Sequence, residues 1–77
     1  MKTKDWSGKS SQVSRTSYDE EKQEMTVLFY NEKKKTTAKW AYRPVSLELW
    51  EESCNAVSIG KFLNVKIKPN CKALKLS

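Results

Sequence analysis

Residues 24–31, EMTVLFYN, limit the possible folds more than any other segment of the chain. Their β-branched, aromatic and long apolar side chains, uninterrupted by Gly or Pro, are those of a β-strand. Alternation places Met25, Val27 and Phe29 on one face and Thr26, Leu28 and Tyr30 on the other. Apolar groups on both faces predict a central strand with a neighbour on each side.

The flanking residues supply those neighbours. NEKKK, residues 31–35, reads as a polar hairpin loop, and TTAKWAY follows it as a strand. In that strand Thr36, Ala38, Trp40 and Tyr42 share one face, while Thr37, Lys39, Ala41 and Arg43 share the other. On the other side, QVSRTSYD at 12–19 alternates weakly and ends in an acidic turn. Pro44 stops the third strand because it lacks the N–H that a ladder requires. Ser46 then stands as an N-cap, with Val45 and Trp50 spaced as a hydrophobic staple and Glu48 in the first turn. Leu47, Trp50, Cys54 and Val57 make a helical stripe, leaving Glu48, Glu51, Glu52 and Asn55 to water. Ser58 is placed to cap a further segment with Ile59, Phe62, Leu63 and Ile67 inward. Leu63, Val65 and Ile67 also alternate as a strand would, so these residues leave 59–67 open between helix and strand. Gly60 reads as a packing residue that permits a positive φ or a close approach between the two helical segments. Pro69 ends the segment, and 69–77 has no clear period and reads as a tail. Residues 1–9 are polar except for Trp6 and read as a flexible arm.

At 77 residues the chain makes one small domain with a marginal core, and 38% hydrophobic residues suffice to build it. No run approaches the roughly 18 apolar residues of a membrane span, and the N-terminus has no apolar stretch of the signal-peptide kind. The expectation is a soluble cytoplasmic protein. Two cysteines and no histidine give neither a disulfide framework nor the usual zinc ligands, so reduced thiols and no metal or other cofactor are expected, with Cys54 on a helix face and Cys71 near a loose end.

Charge is segregated within a formal net +6. Lys33, Lys34, Lys35, Lys39 and Arg43 fall in a stretch without acids, as do Lys61, Lys66, Lys68, Lys72 and Lys75. The acids gather at Asp19, Glu20, Glu21 and Glu24 and on the first helix at Glu48, Glu51 and Glu52. Two readings fit: a basic surface for a polyanion, or lysines that only keep a small protein soluble.

The order of motifs is informative in a different way. Ser10 and Ser11, Tyr18-Asp19, Val27 and Phe29, Trp40-Ala41-Tyr42, Val45, then Ala56, Ser58, Gly60, Phe62, Asn64 and Ile67-Lys68 together resemble the KTSC domain, named for its occurrence at the C-terminus of some lysyl-tRNA synthetases. The resemblance spans residues 10–68. It departs where Trp40 replaces the usual tyrosine, where Pro44-Val45 replaces Val-Pro, and where no aromatic follows Lys68. It implies an α+β domain with a three-stranded antiparallel sheet followed by two helices (β-β-β-α-α), with 59–67 helical. It also implies a proposed role in RNA binding, and a bacterial or phage origin.

Catalysis is not expected. The chain has no histidine, its acids lie on turns and an exposed helix face, and its two glycines form no phosphate loop. The first functional expectation is a module for RNA or single-stranded nucleic acid. Lys33, Lys34, Lys35, Lys39 and Arg43 would hold phosphate, and Tyr30, Trp40 and Tyr42 would stack bases. Against it, Trp40 and Tyr42 also suit a core under Trp50, and the KKK run also suits a solvated hairpin tip. The second expectation is a phage-type protein module that docks on a host enzyme and modulates it, through the acidic helix face or a strand edge. The residues do not choose between monomer and homodimer.

Overall fold

The computed structural model describes residues 1–31 and 33–76. Five antiparallel strands form one sheet in chain order: β1 (Lys2–Asp5), β2 (Val13–Asp19), β3 (Glu24–Asn31), β4 (Thr36–Arg43) and β5 (Lys72–Lys75). Helix α1 (Leu47–Cys54) and the short α2 (Ile59–Phe62), which continues into a π-helical turn at Leu63–Ile67, lie between β4 and β5 in sequence. The domain is therefore mostly β. The expected three-stranded sheet followed by two helices is corrected to a five-stranded meander with helices inserted before its last strand.

Both additional strands come from segments that read as an arm and a tail. β1 pairs with β2 from Lys2 opposite Tyr18 to Asp5 opposite Arg15, and β5 pairs with β4 from Lys72 opposite Arg43 to Lys75 opposite Trp40. Trp6, just past β1, is buried, and its indole Nε1 donates to the buried Thr16 hydroxyl at 3.1 Å. Its backbone is held too, with N–H donating to Ser14 C=O and C=O accepting from Lys9 and Ser10 N–H. Isolated polar strands of this kind form because each needs only a neighbour's ladder, not a hydrophobic pattern of its own.

β3 is central, as its two apolar faces require. Met25 faces Tyr42, Val27 faces Trp40 and Phe29 faces Ala38, so the expected shared face of β3 and β4 is present. Helices cover that face. Val13, Tyr18, Met25, Val27, Tyr42, Val45, Trp50, Ile59, Leu63 and Ile67 make the buried core with Trp6. Tyr18 stacks on Trp50 at a centroid distance of 5.5 Å.

Ser46 caps α1 as its sequence indicates, its Oγ accepting from Leu49 N–H at 3.1 Å, and Ser58 caps α2 in the same way. The α1 stripe is narrower than periodicity predicts. The helix ends at Cys54, Leu47 and Val57 are exposed, and Ser53 takes the inward place with its hydroxyl on Trp50 C=O at 2.6 Å. Over 59–67 the chain is helical, and Ile59, Leu63 and Ile67 are all buried. A four-residue spacing drifts around an α-helix of 3.6 residues per turn; the wider turn closed by Lys68 N–H on Leu63 C=O at 2.8 Å takes up that drift. A Cβ on Gly60 would stand 3.2 Å from Gln12 Oε1, the end of a side chain in the segment entering β2; Gly60 has no positive φ, and among the described residues no atom of α1 lies within 4 Å of that Cβ.

Candidate functional site

The helical cover stops short of the loop end of the β3–β4 hairpin. Along β3, Met25 and Val27 are sealed while Phe29 is half-buried; along β4, Tyr42 is sealed while Trp40 and Ala38 are half-buried. One recess of 480 Å³ has Phe29, Ala38, Trp40 and Tyr42 as its floor, with Lys68 and Ala73 at its sides. A second, of 640 Å³, opens toward the loop between Gln12, Asn31, Lys33, Lys34, Thr36 and Lys68. They share Phe29, Ala38 and Lys68 and so form one groove along the hairpin.

Each part of the groove has a local cause. Asn31 Oδ1 accepts from the N–H groups of Lys33 and Lys34 at 3.0 and 3.2 Å, folding the loop so that both lysines border the recess. Lys35 completes the turn at a φ of 51°, in the left-handed region. On the helical side, Lys68 follows the π turn and sets its ammonium 5.6 Å from the Phe29 ring centroid, a cation–π contact. Lys75 is opposite Trp40 in the ladder and therefore shares its side of the sheet. No carboxylate lines either recess among the described residues. The result is an apolar, aromatic floor with ammonium groups along its rim.

The expected site residues divide between places. Lys33, Lys34, Trp40 and Tyr42 border the groove, and Tyr30 contributes at the loop end, where it is 37% exposed. Tyr42 is floor and core at once; burial pushes its phenol up from the ordinary tyrosine range. Lys35 sits at the hairpin tip outside the lining. Lys39 and Arg43 are on the opposite face, as alternation from Trp40 and Tyr42 requires, and Arg43 pairs with Glu24 at 3.8 Å. Phe29 and Lys68 were not among the expected site residues. Phe29 had a legible signal, because period two aligns it with Ala38; Lys68 stood out only as one of a basic stretch and of the Ile67-Lys68 motif, and its place over β3 comes from the packed helix. Among the described residues no group of three or more Cys, Asp or Glu is placed to hold a metal, and no helix is long and apolar enough to cross a membrane.

Fold and groove define a small β-meander domain with a helical cap that leaves one end of an aromatic sheet face open. Residues 9–70 match the KTSC domain family, and the chain belongs to it. A KTSC domain protein from Yersinia pestis has a similar crystal structure, with a TM-score of 0.77, 22% sequence identity, and 88% of this chain and 89% of that one covered. That likeness concerns the fold. No curated protein matches the sequence.

Proposed function

We propose that this domain is a non-enzymatic binding module of the cytoplasm that takes RNA or single-stranded nucleic acid into the β3–β4 groove. The observation that carries the reading is the half-buried aromatic pair Phe29 and Trp40 in a groove rimmed by Lys33, Lys34 and Lys68 and lacking carboxylates among the described residues. A base stacked on an aromatic side chain is worth about 1–3 kcal/mol, and it does not depend strongly on which base it is. Lysines spaced along the rim neutralise phosphates on either side of the stacked base and release their counterions. The described lining supplies hydroxyl, amide and ammonium groups, which suit contacts to bases, sugars and phosphates. Free thiols at Cys54 and Cys71 suit a reducing compartment.

Tryptophan fluorescence tests this directly, because Trp6 and Trp50 are buried and Trp40 alone among the three borders the groove. Titration with mixed-sequence single-stranded RNA quenches emission saturably, and affinity falls steeply with salt. Joint replacement of Lys33, Lys34 and Lys68 by Ala lowers the slope of log affinity against log salt by about two, at about 0.7 per phosphate contact on a single strand. Trp40→Phe removes most of the signal. Absence of quenching at low salt, or an affinity indifferent to salt, defeats the proposal.

A further inference from the structure

The helix-free face of the sheet has its own chemistry, separate from the groove. Register places Leu28 and Lys39 on one line across β3 and β4, and Leu76, just past β5, continues it with its N–H donating to Lys39 C=O at 2.7 Å. The next line carries Thr26, Ala41 and Leu74. Leu74 and Leu76 are 60% and 47% exposed, although they flank the buried Ala41 and half-buried Leu28. A trough of 320 Å³ crosses this face, lined by Arg15, Thr26, Leu28, Lys39 and Leu76 together with Met1. The acids on this side are Asp5, opposite Arg15; Asp19; and Glu24, paired with Arg43. β4 and β5 contain none. Lys39 and Lys72 thus border the exposed leucines without an ion pair among the described residues.

We infer that this face docks an acidic amphipathic segment of a partner protein. Its apolar side chains pack on Leu28, Ala41, Leu74 and Leu76, and its carboxylates meet Lys39, Lys72 and Arg15. Charge selects this occupant. A second copy seated on the β4–β5 half sets like charges together, since that half has no carboxylate to offer. A nucleic acid finds leucines here from β3 to just past β5, and among the described residues Tyr30, at the loop end of β3, is the one ring that register puts on this side. Lys39 and the exposed leucines, which lie outside the groove, are the contact surface here.

The test is selection of a random short-peptide display library on the intact protein, followed by affinity measurement of the synthetic winners. Enriched sequences combine Leu, Ile or Phe with Asp and Glu. Their affinity drops about tenfold or more with Leu74→Glu and with the pair Lys39→Glu and Lys72→Glu, both at exposed positions, with folding checked by circular dichroism. Substitutions of Lys33, Lys34 or Trp40 leave it unchanged. The inference is overturned by a library that yields no enrichment, by basic winners, by winners whose binding is lost with the groove lysines, or by a homodimer that Leu74→Glu dissociates.

Discussion

Tyr18 ties the sheet to the segment that leads into α1 and to α1 itself. Its phenol donates to the Val45 carbonyl at 2.6 Å from a fully buried position, and its ring lies against Trp50 at an interplanar angle of 11°. Tyr18→Phe keeps the stack but leaves a buried carbonyl without its donor, at a cost of about 1–3 kcal/mol, readable as a lower urea midpoint with an unchanged m-value. Burial first, then the charges of Glu20 and Asp19, raise this phenol, and burial alone raises Tyr42. A phenol whose folded pKa lies above its unfolded value of about 10 contributes stability that is whole below pH 10 and is lost as pH climbs through the folded value. The urea midpoint therefore falls with alkalinity above pH of about 10. It falls less steeply in a Tyr18→Phe, Tyr42→Phe double variant. Alternation places Tyr42 on the correct face, whereas Tyr18 is legible as part of a weak strand and of the Tyr18-Asp19 motif, neither of which gives its partners. Trp6 was not legible, because one indole among polar residues has no period, and its partner Thr16 is recognisable only once β1 has paired with β2.

The elements that the sequence hid are the two edges. KTKD and KALK have no continuous alternation of apolar and polar residues, and their lysines are what an edge strand uses to discourage pairing with other chains. A short strand on an existing sheet needs backbone partners more than side-chain pattern, which is why β2, β3 and β4 were legible and β1 and β5 were not. β1 nonetheless carries weight through Trp6. Removing residues 1–6 costs about 3–5 kcal/mol, the range for deleting a buried tryptophan, and in a domain of this size that suffices to populate the unfolded state at room temperature, as circular dichroism would record. The helix caps were legible because they are local. Ser46→Ala removes the acceptor for Leu49 N–H and lowers stability by about 1 kcal/mol in denaturant titration. The groove was half legible: hairpin and alternation give Trp40, Phe29, Lys33 and Lys34, but where the helices stop covering the sheet is a property of packing.

For the whole molecule, segregated charge in the sequence becomes two faces with different partners in view. The sheet separates them by about 10 Å, the thickness of a packed layer and about one Debye length at ordinary salt. RNA in the groove and an acidic peptide on the opposite face are therefore expected to bind together, with affinities for one changed less than about twofold by saturation with the other near physiological salt, and opposed more strongly at low salt. Fluorescence anisotropy of labelled peptide, with and without RNA, reads this out. The strand order has a consequence of another kind. Because spatial order equals chain order, a polypeptide leaving the ribosome can pair β1 with β2, β2 with β3 and β3 with β4 as each emerges, with only short turns to close. The single distant closure is β5 onto β4, across α1 and α2. The costliest closure in this meander is therefore the one made last, so a nascent chain in which β5 is still hidden is expected to leave the β4 edge without its neighbour.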